Sequence, residues 1–345
     1  MLPESFEGQA ASPDGAQLAV AIGQERIEIL DAVSTKRRYA IATPHEEHNS
    51  YPRLFFSSDG RIVGSIRGPK TRLWEVATGK QISSLLPEGW TSMAAAVTPE
   101  GKILAIQQPH GDDSMFLRDA LAAKTISRLL VPAPCMTAAM SADGRWAAAV
   151  ERDTAVVVWD VNELSKTEPR TKETLSTQRL DRLWADLESE DAALAYRAVY
   201  ALSHSPGQSV PFLDARLQAA KAPNTAKVQR WLQDLDDPNY AVRTGASEAL
   251  DVVAELSRPA LQRDLADHPS SEKRKRLEKL VEASEHWVPT PNRVRQWRAI
   301  MALEQANTAE AIKLLSKLAA GVPGHWLTEE ARASLKRMAV RTRDR

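Results

Sequence analysis

SPDG at 12–15, SSDG at 57–60, TPEG at 98–101 and SADG at 141–144 are four copies of one tetrapeptide, spaced 45, 41 and 43 residues apart. A fixed period of this size is the signature of a repeat architecture, in which each repeat is one small folding unit that buries its apolar face against the next. A second marker keeps phase with the first: EILD at 28–31, RLWE at 72–75, FLRD at 116–119 and VVWD at 157–160. Between the markers lie short runs at 17–22, 61–66, 102–107 and 145–150, with apolar residues suited to a pleated, half-buried surface. Each unit therefore reads as a strand, an Asp/Glu-Gly hairpin, a second strand, a turn, a third strand ending in Trp-Asp or its remnant, and a fourth strand. Gly15, Gly60, Gly101 and Gly144 are structural turn residues, because glycine takes positive φ without steric cost and an acidic residue before it favours a tight hairpin. Trp74 and Trp159 occupy the same place in the second marker, where the other copies carry Leu30 and Arg118. That pattern fits an aromatic of the core between units rather than a ligand cage.

The period, the SPDG-type turns and the Trp-Asp marker resemble the WD40 family, whose four-stranded blades surround a central axis. The resemblance covers residues 5–162 and implies a partial WD40-type β-propeller of about four blades. It is degenerate in places. No Gly-His dipeptide precedes the turns, and only Asp153, with Asp112 behind it, sits where the family's blade aspartate is expected. WD40 propellers usually have more blades, and no outer strand is evident after Val161, so an open sheet edge near Ser5 and Val161 is expected. Unpaired strand edges invite pairing with another chain. The reading is thus either a fragment of a longer protein or self-association through an open propeller edge.

From Val161 to Arg179 the chain turns polar and contains Pro169, which marks a linker at 163–179 between a propeller at 1–162 and a helical domain at 180–345. Apolar residues then recur at helical spacing, as in Leu194, Ala198, Ala201 and Leu202. DLESEDAALAYRAVYAL at 186–202 overlays DLDDPNYAVRTGASEAL at 234–250 with a shift of 48, and VPFLDARL from Val210 overlays RPALQRDL from Arg258 with the same shift. Further helices are expected at 272–285, 291–306, 308–320 and 328–340. Asp237-Pro238 and Thr290-Pro291 place a cap before a first-turn proline, and Asn307 with Glu310 reads as a capping box. Stacked helix pairs of this kind form a solenoid, and the rhythm is similar to HEAT repeats. The combination resembles the C-terminal part of planctomycete-type bacterial WD40 repeat proteins with a HEAT-like helical tail.

The remaining composition points away from catalysis. The 345 residues balance 45 Lys and Arg against 45 Asp and Glu, so no net field draws the chain to nucleic acid or to an anionic membrane. One cysteine, Cys135, excludes an internal disulfide and a multi-cysteine metal site. No signal peptide or long apolar stretch appears, which reads as cytoplasmic. His45 and His48 lie close in HEEH, but the spacing is not that of a zinc motif, and no phosphate loop or nucleophile elbow occurs. No catalytic, cofactor or metal residue is assigned. The basic run Lys273 to Arg276 is interleaved with Glu272 and Glu278, which favours ion pairs along a helix over phosphate contact. Trp287 and Trp326, beside Pro and Gly loops, are the candidate interaction residues. The expected function is a non-catalytic protein-protein interaction scaffold. The alternatives are a regulatory or sensory C-terminal fragment of a longer signalling protein and, more remotely, a HEAT-like nucleic-acid-binding module.

Overall fold

In the first turn the Ser12 hydroxyl donates to Asp14 Oδ1 at 2.6 Å and accepts from the Gln17 N–H at 2.9 Å. The second turn repeats this atom for atom: Ser57 donates to Asp59 Oδ1 at 2.6 Å and accepts from the Ile62 N–H at 2.9 Å. In the fourth, the Trp146 N–H donates to Ser141 Oγ, again at 2.9 Å. Gly15 and Gly60 take φ of 69° and 71°, the left-handed region that the sequence reserves for glycine. A serine side chain standing in for a backbone acceptor closes these three hairpins and sets their register. The computed structural model describes all residues except 1–7, 24, 45–51, 68–69, 85–89, 98–102, 110–114, 120–123, 130–134, 142–144, 152–154, 165–174, 286–289 and 344–345. Gly101 and Gly144 lie outside the described residues.

The turns connect small antiparallel sheets. β1 (Gly8–Ala11), β2 (Gln17–Ile22), β3 (Arg26–Asp31) and β4 (Arg37–Ala42) pair in chain order, as do β5 (Arg53–Phe56), β6 (Ile62–Arg67), β7 (Lys70–Glu75) and β8 (Gln81–Ser84). The third sheet holds β9 (Trp90–Val97), β10 (Ile103–Pro109), β11 (Met115–Asp119) and β12 (Lys124–Leu129). The fourth has three strands among the described residues: β13 (Cys135–Met140), β14 (Trp146–Glu151) and β15 (Val156–Asp160). In the first three sheets the pairing of third and fourth strand slips by one residue at the same place, between Ile29 and Leu30, Leu73 and Trp74, and Leu117 and Arg118. The second sequence marker therefore coincides with a bulge, which bends and twists the strand locally.

Successive sheets touch through their first strands, β1 beside β5 and β9 beside β13, while β9 also meets β6 and β7. The approach is close at β1, where a Cβ on Gly8 would fall 2.2 Å from the Pro52 carbonyl oxygen. One apolar cluster joins Ala19, Ile27, Ile29 and Ile41 of the first sheet to Phe56, Val63 and Trp74 of the second. Another joins Ile106, Met115, Leu117 and Leu129 of the third to Ala138, Ala147 and Ala149 of the fourth. The Tyr39 hydroxyl adds a polar link by donating to the Val76 carbonyl, and burial pushes its ionisation upward.

Helices follow: α1 (Val161–Leu164), α2 (Thr177–Asp186), α3 (Ala192–His204), α4 (Pro206–Asp214), α5 (Thr225–Asp234), α6 (Tyr240–Ala266), α7 (Ser271–Glu285), α8 (Pro291–Ala306), α9 (Ala309–Ala319) and α10 (Trp326–Arg343). The fold is thus mixed β and α. Its two compact units are Met1–Ser209 and Val210–Arg345. The sequence division at 163–179 follows the change from strand to helix. The compact units follow contacts, and α3 lies against β8, with Lys80 and Glu190 paired at 3.6 Å, so α2 and α3 group with the sheets.

The shift of 48 residues is visible at helix starts. Ser176 caps α2 and Asn224 caps α5; Asp191 caps α3 and Asn239 caps α6, each side chain accepting a first-turn N–H. The copies then diverge. The first breaks between α3 and α4 at Ser205, whereas the second continues as one helix of 27 residues. Pro206 explains the break, because proline pushes the preceding residue out of the helical region; its counterpart is Ala254, and Pro259 is carried inside α6. Two expected caps also move by one or two residues. Asp237 accepts from the Asn239 N–H at 2.7 Å and leaves the cap to Asn239. Asn307 takes φ 47° and closes α8, while Thr308 caps α9 by accepting from Ala311. Thr290 caps α8 ahead of Pro291 as expected.

Candidate functional site

Among the described residues, Trp74 and Trp159 lie in separate apolar clusters. Trp74 is buried between the first two sheets, and Trp159 packs, partly buried, against the cluster between the third and fourth. Both are core aromatics. Trp287, His45, His48, Asp112 and Asp153 lie outside the described residues. Among the described residues, no three His, Cys, Asp or Glu side chains group in a way that holds a metal ion, and no helix is long and apolar enough to cross a membrane.

Trp326, at the start of α10, does belong to a polar cluster. Its backbone N–H points to the Glu255 carboxylate of α6, which Arg293 of α8 reaches at 3.5 Å. Burial pushes the Glu255 pKa above the ordinary glutamate value, opposed by Arg293, the Trp326 N–H and Arg258. His325, half-buried beside them, is pushed down by burial and by the Arg293 charge, and its Nδ1 accepts from the Leu327 N–H at 3.2 Å. Arg258, one helical turn from Glu255, donates through Nε to Ser284 Oγ at 3.0 Å and through Nη2 to the Ser284 carbonyl at the end of α7. Four helices therefore meet around one carboxylate, one imidazole and two guanidinium groups. Perturbed titratable groups cluster at functional sites, and also in structural ion-pair networks. Tied together by ion pairs and by hydrogen bonds to backbone groups of α7 and α10, this cluster reads as a junction between helices.

The sign of its pH response follows from the shifts. A histidine whose folded pKa is depressed below 6.5 contributes stability above that value, and the contribution is lost as pH falls through the folded pKa. Glu255, raised above 4.5, acts in the opposite sense and loses its contribution as pH rises through its folded value. Wild-type protein is therefore expected to lose stability relative to His325→Gln between about pH 7 and about pH 5. Urea unfolding of both proteins across that range measures the difference, and parallel curves would show that His325 titrates normally.

Cavities lie elsewhere among the described residues. One of about 20 Å³ lies between the first two sheets, lined by Arg26, Arg67, Arg72, Ser65 and Trp74. It has room for about one water-sized group. The other, an open groove of about 450 Å³ on the helical unit, is lined by Gln229, Arg263, Asp264 and Asp267. Its polar walls are unlike the apolar lining of small-molecule sites. The basic run of α7 is tied down in part: Arg276 meets Glu272 at 3.0 Å and Lys273 meets Asp264 at 2.9 Å. Arg243 also reaches Glu272, at 3.0 Å, and the two guanidinium groups hold its pKa below the usual range.

One structural role escaped the sequence reading. Asp31, at the end of the first marker, accepts from the Ser34 N–H at 2.8 Å and from Arg38 at 2.7 Å, which hold its carboxyl well below the usual range. Glu75 does the same work in the second sheet, accepting from the Thr78 hydroxyl at 2.5 Å. Thr35 and Gly79 follow with φ of 55° and 66°. The signal was the shared spacing of acid, Ser or Thr three residues on, and Lys36 or Lys80.

No protein-family model and no curated protein sequence matches the chain. Among solved structures it is similar to hydrazine synthase of Kuenenia stuttgartiensis, at 17% identity and a TM-score of 0.33, over 42% of this chain and 43% of that one. The chain thus spans less than half the length of that structure, and a likeness of this size carries no argument about fold or activity.

Proposed function

We propose that the chain is a non-catalytic protein-interaction scaffold, in which a partial WD40-type β-propeller is joined to a HEAT-like helical array. The observation that carries the reading is the recurrence of one turn, with the same N–H to serine Oγ contact at 2.9 Å, in the first, second and fourth of four small sheets, β1 lying beside β5 and β13 beside β9. Such repetition spends the sequence on a rigid frame with loops along its rims, and rigid frames present contact surfaces without catalytic groups. The 48-residue recurrence of helix caps supports the same design in the second half. Against this background Trp326 and Trp287 remain the proposed contact residues.

The test is capture of a defined partner by the purified full-length chain, followed by cross-linking to locate the contact. The expected result is a single stoichiometric partner cross-linked to the turns at 12–15 and 57–60 or to the helical surface, with binding weakened about tenfold or more by changing one contact residue. A turnover activity that is abolished by changing one polar cluster, such as Glu255 with Arg293, would overturn the reading.

A further inference from the structure

The fourth sheet leaves bare a face whose counterpart is core. In the first sheet, Ala10, Ala19, Ala21, Ile27 and Ile29 share one face, and Ile27 and Ile29 are 2% and 0% exposed beneath the second sheet. Counted from Ser12 and Ser141, the matching residues of the fourth sheet are Ala139, Ala148, Val150, Val156 and Val158. The strand register agrees, Ala139 to Ala148 to Val158 as Ala10 to Ala19 to Ile29. There Val156 is 60% exposed, Val158 57% and the adjoining Trp146 44%. The opposite face, with Ala138, Ala147 and Ala149, is already buried against the third sheet.

We infer that this face docks a second copy of the chain, as like on like about a two-fold axis lying across the strands. Head-to-tail continuation of the stack is disfavoured, because the outer face of the first sheet carries Glu28 paired with Arg26 at 3.0 Å and with Arg37 at 3.4 Å, charges that an apolar face would cut off from water. The bare face has three rows that match themselves on rotation. Ala139, Ala148 and Val158 form the middle row, Trp146 with Asp160 one end, and Val150 with Val156 the other. A two-fold across the middle row brings small residues together and lays each Trp146 over the valine end of the other copy. Asp160, 3.8 Å from Arg145, sits in the end row of the patch, over the valine row of the other copy and far from its own image. Equal numbers of basic and acidic residues leave no net repulsion between copies. A closed two-fold needs only such a self-complementary patch.

The footprint sets the strength. Three strands about 4.8 Å apart and about five residues long cover roughly 240 Å², well below the roughly 800 Å² per partner of a stable complex. Pairing is therefore weak, reversible and dependent on concentration.

Sedimentation velocity of the full-length chain from roughly 1 µM to 1 mM tests it. The expected result is a mass climbing from monomer toward dimer, with the dissociation constant raised about tenfold or more in Val156→Asp/Val158→Asp. Val33→Asp, at a position 92% exposed in the turn between β3 and β4, is expected to change nothing. Circular dichroism checks that the variants remain folded, and Val156→Lys alone serves should the double variant fail that check. A wild type that stays monomeric at every concentration overturns the inference, and so does a dimer that survives the charged substitutions. Either result leaves the capture experiment, and with it the scaffold reading, untouched.

Discussion

Trp74→Ala is expected to lower the unfolding free energy of the sheet-bearing unit by about 3–5 kcal/mol, the range for removing a buried aromatic without refilling the space. Trp74 is 2% exposed and packs with Ile27, Ile29 and Phe56, so it belongs to both of the first two sheets at once. Its loss removes apolar burial and also opens a void between two rigid surfaces that cannot close without shifting the β1 to β5 approach. Trp159→Ala provides the comparison. Trp159 holds the same marker position but is only partly buried, on a sheet whose far face is exposed, so its removal is expected to cost about half as much or less. Denaturant unfolding of the two variants beside the wild type measures both. Equal losses would mean that the marker tryptophans do equivalent work and that the asymmetry in burial is without consequence.

That asymmetry shows where sequence is legible. The turn tetrapeptide carries its own chemistry, a serine acceptor, an acid and a glycine, and so Gly15 and Gly60 could be assigned a positive φ from their letters alone. The Trp position could be read as core because other apolar or long side chains replace it in phase. Helix ends that carry their own cap read well for the same local reason, Thr290 before Pro291 being decisive at one end of α8, whereas the expected pair at 234–250 and from Arg258 is one helix, α6. What was not legible depends on competition or on distance. Asp237 and Asn239 both have capping side chains, and only the hydrogen bond from the Asn239 N–H to Asp237 decides that Asn239 takes the role. Asn307 reads equally as the start of one helix or the left-handed end of another. Glu255, Arg293 and His325 come from α6, α8 and the approach to α10, at separations that match no motif, so their junction is a product of packing. The bare face of the fourth sheet is a further case. Its letters are those of a buried strand, and nothing in Val156 or Val158 announces that they stand exposed.

The last example of such distance also yields the second large effect. Arg337→Ala is expected to cost about 3 kcal/mol, at the low end of the range for breaking a buried ion pair by removing one partner. Arg337 of α10 grips Glu304 of α8 with two prongs, Nε to Oε1 at 3.1 Å and Nη2 to Oε2 at 2.9 Å, and also reaches Glu330 at 2.9 Å and Ser334 at 3.0 Å. Glu304 is 1% exposed, so its charge cannot be returned to water when the fork is removed. The arginine is a quarter exposed, which is why the low end of the range applies. Arg337→Lys keeps the charge but not the fork, and is expected to recover only part of the loss. The double variant Glu304→Leu/Arg337→Met separates two explanations for the cost. If the penalty arises from a buried charge that has lost its fork, replacing both partners by apolar groups of similar size is expected to be far milder than Arg337→Ala alone. If the pair itself supplied the stability, the double variant would be as damaged as the single one. Urea unfolding at neutral pH decides between them.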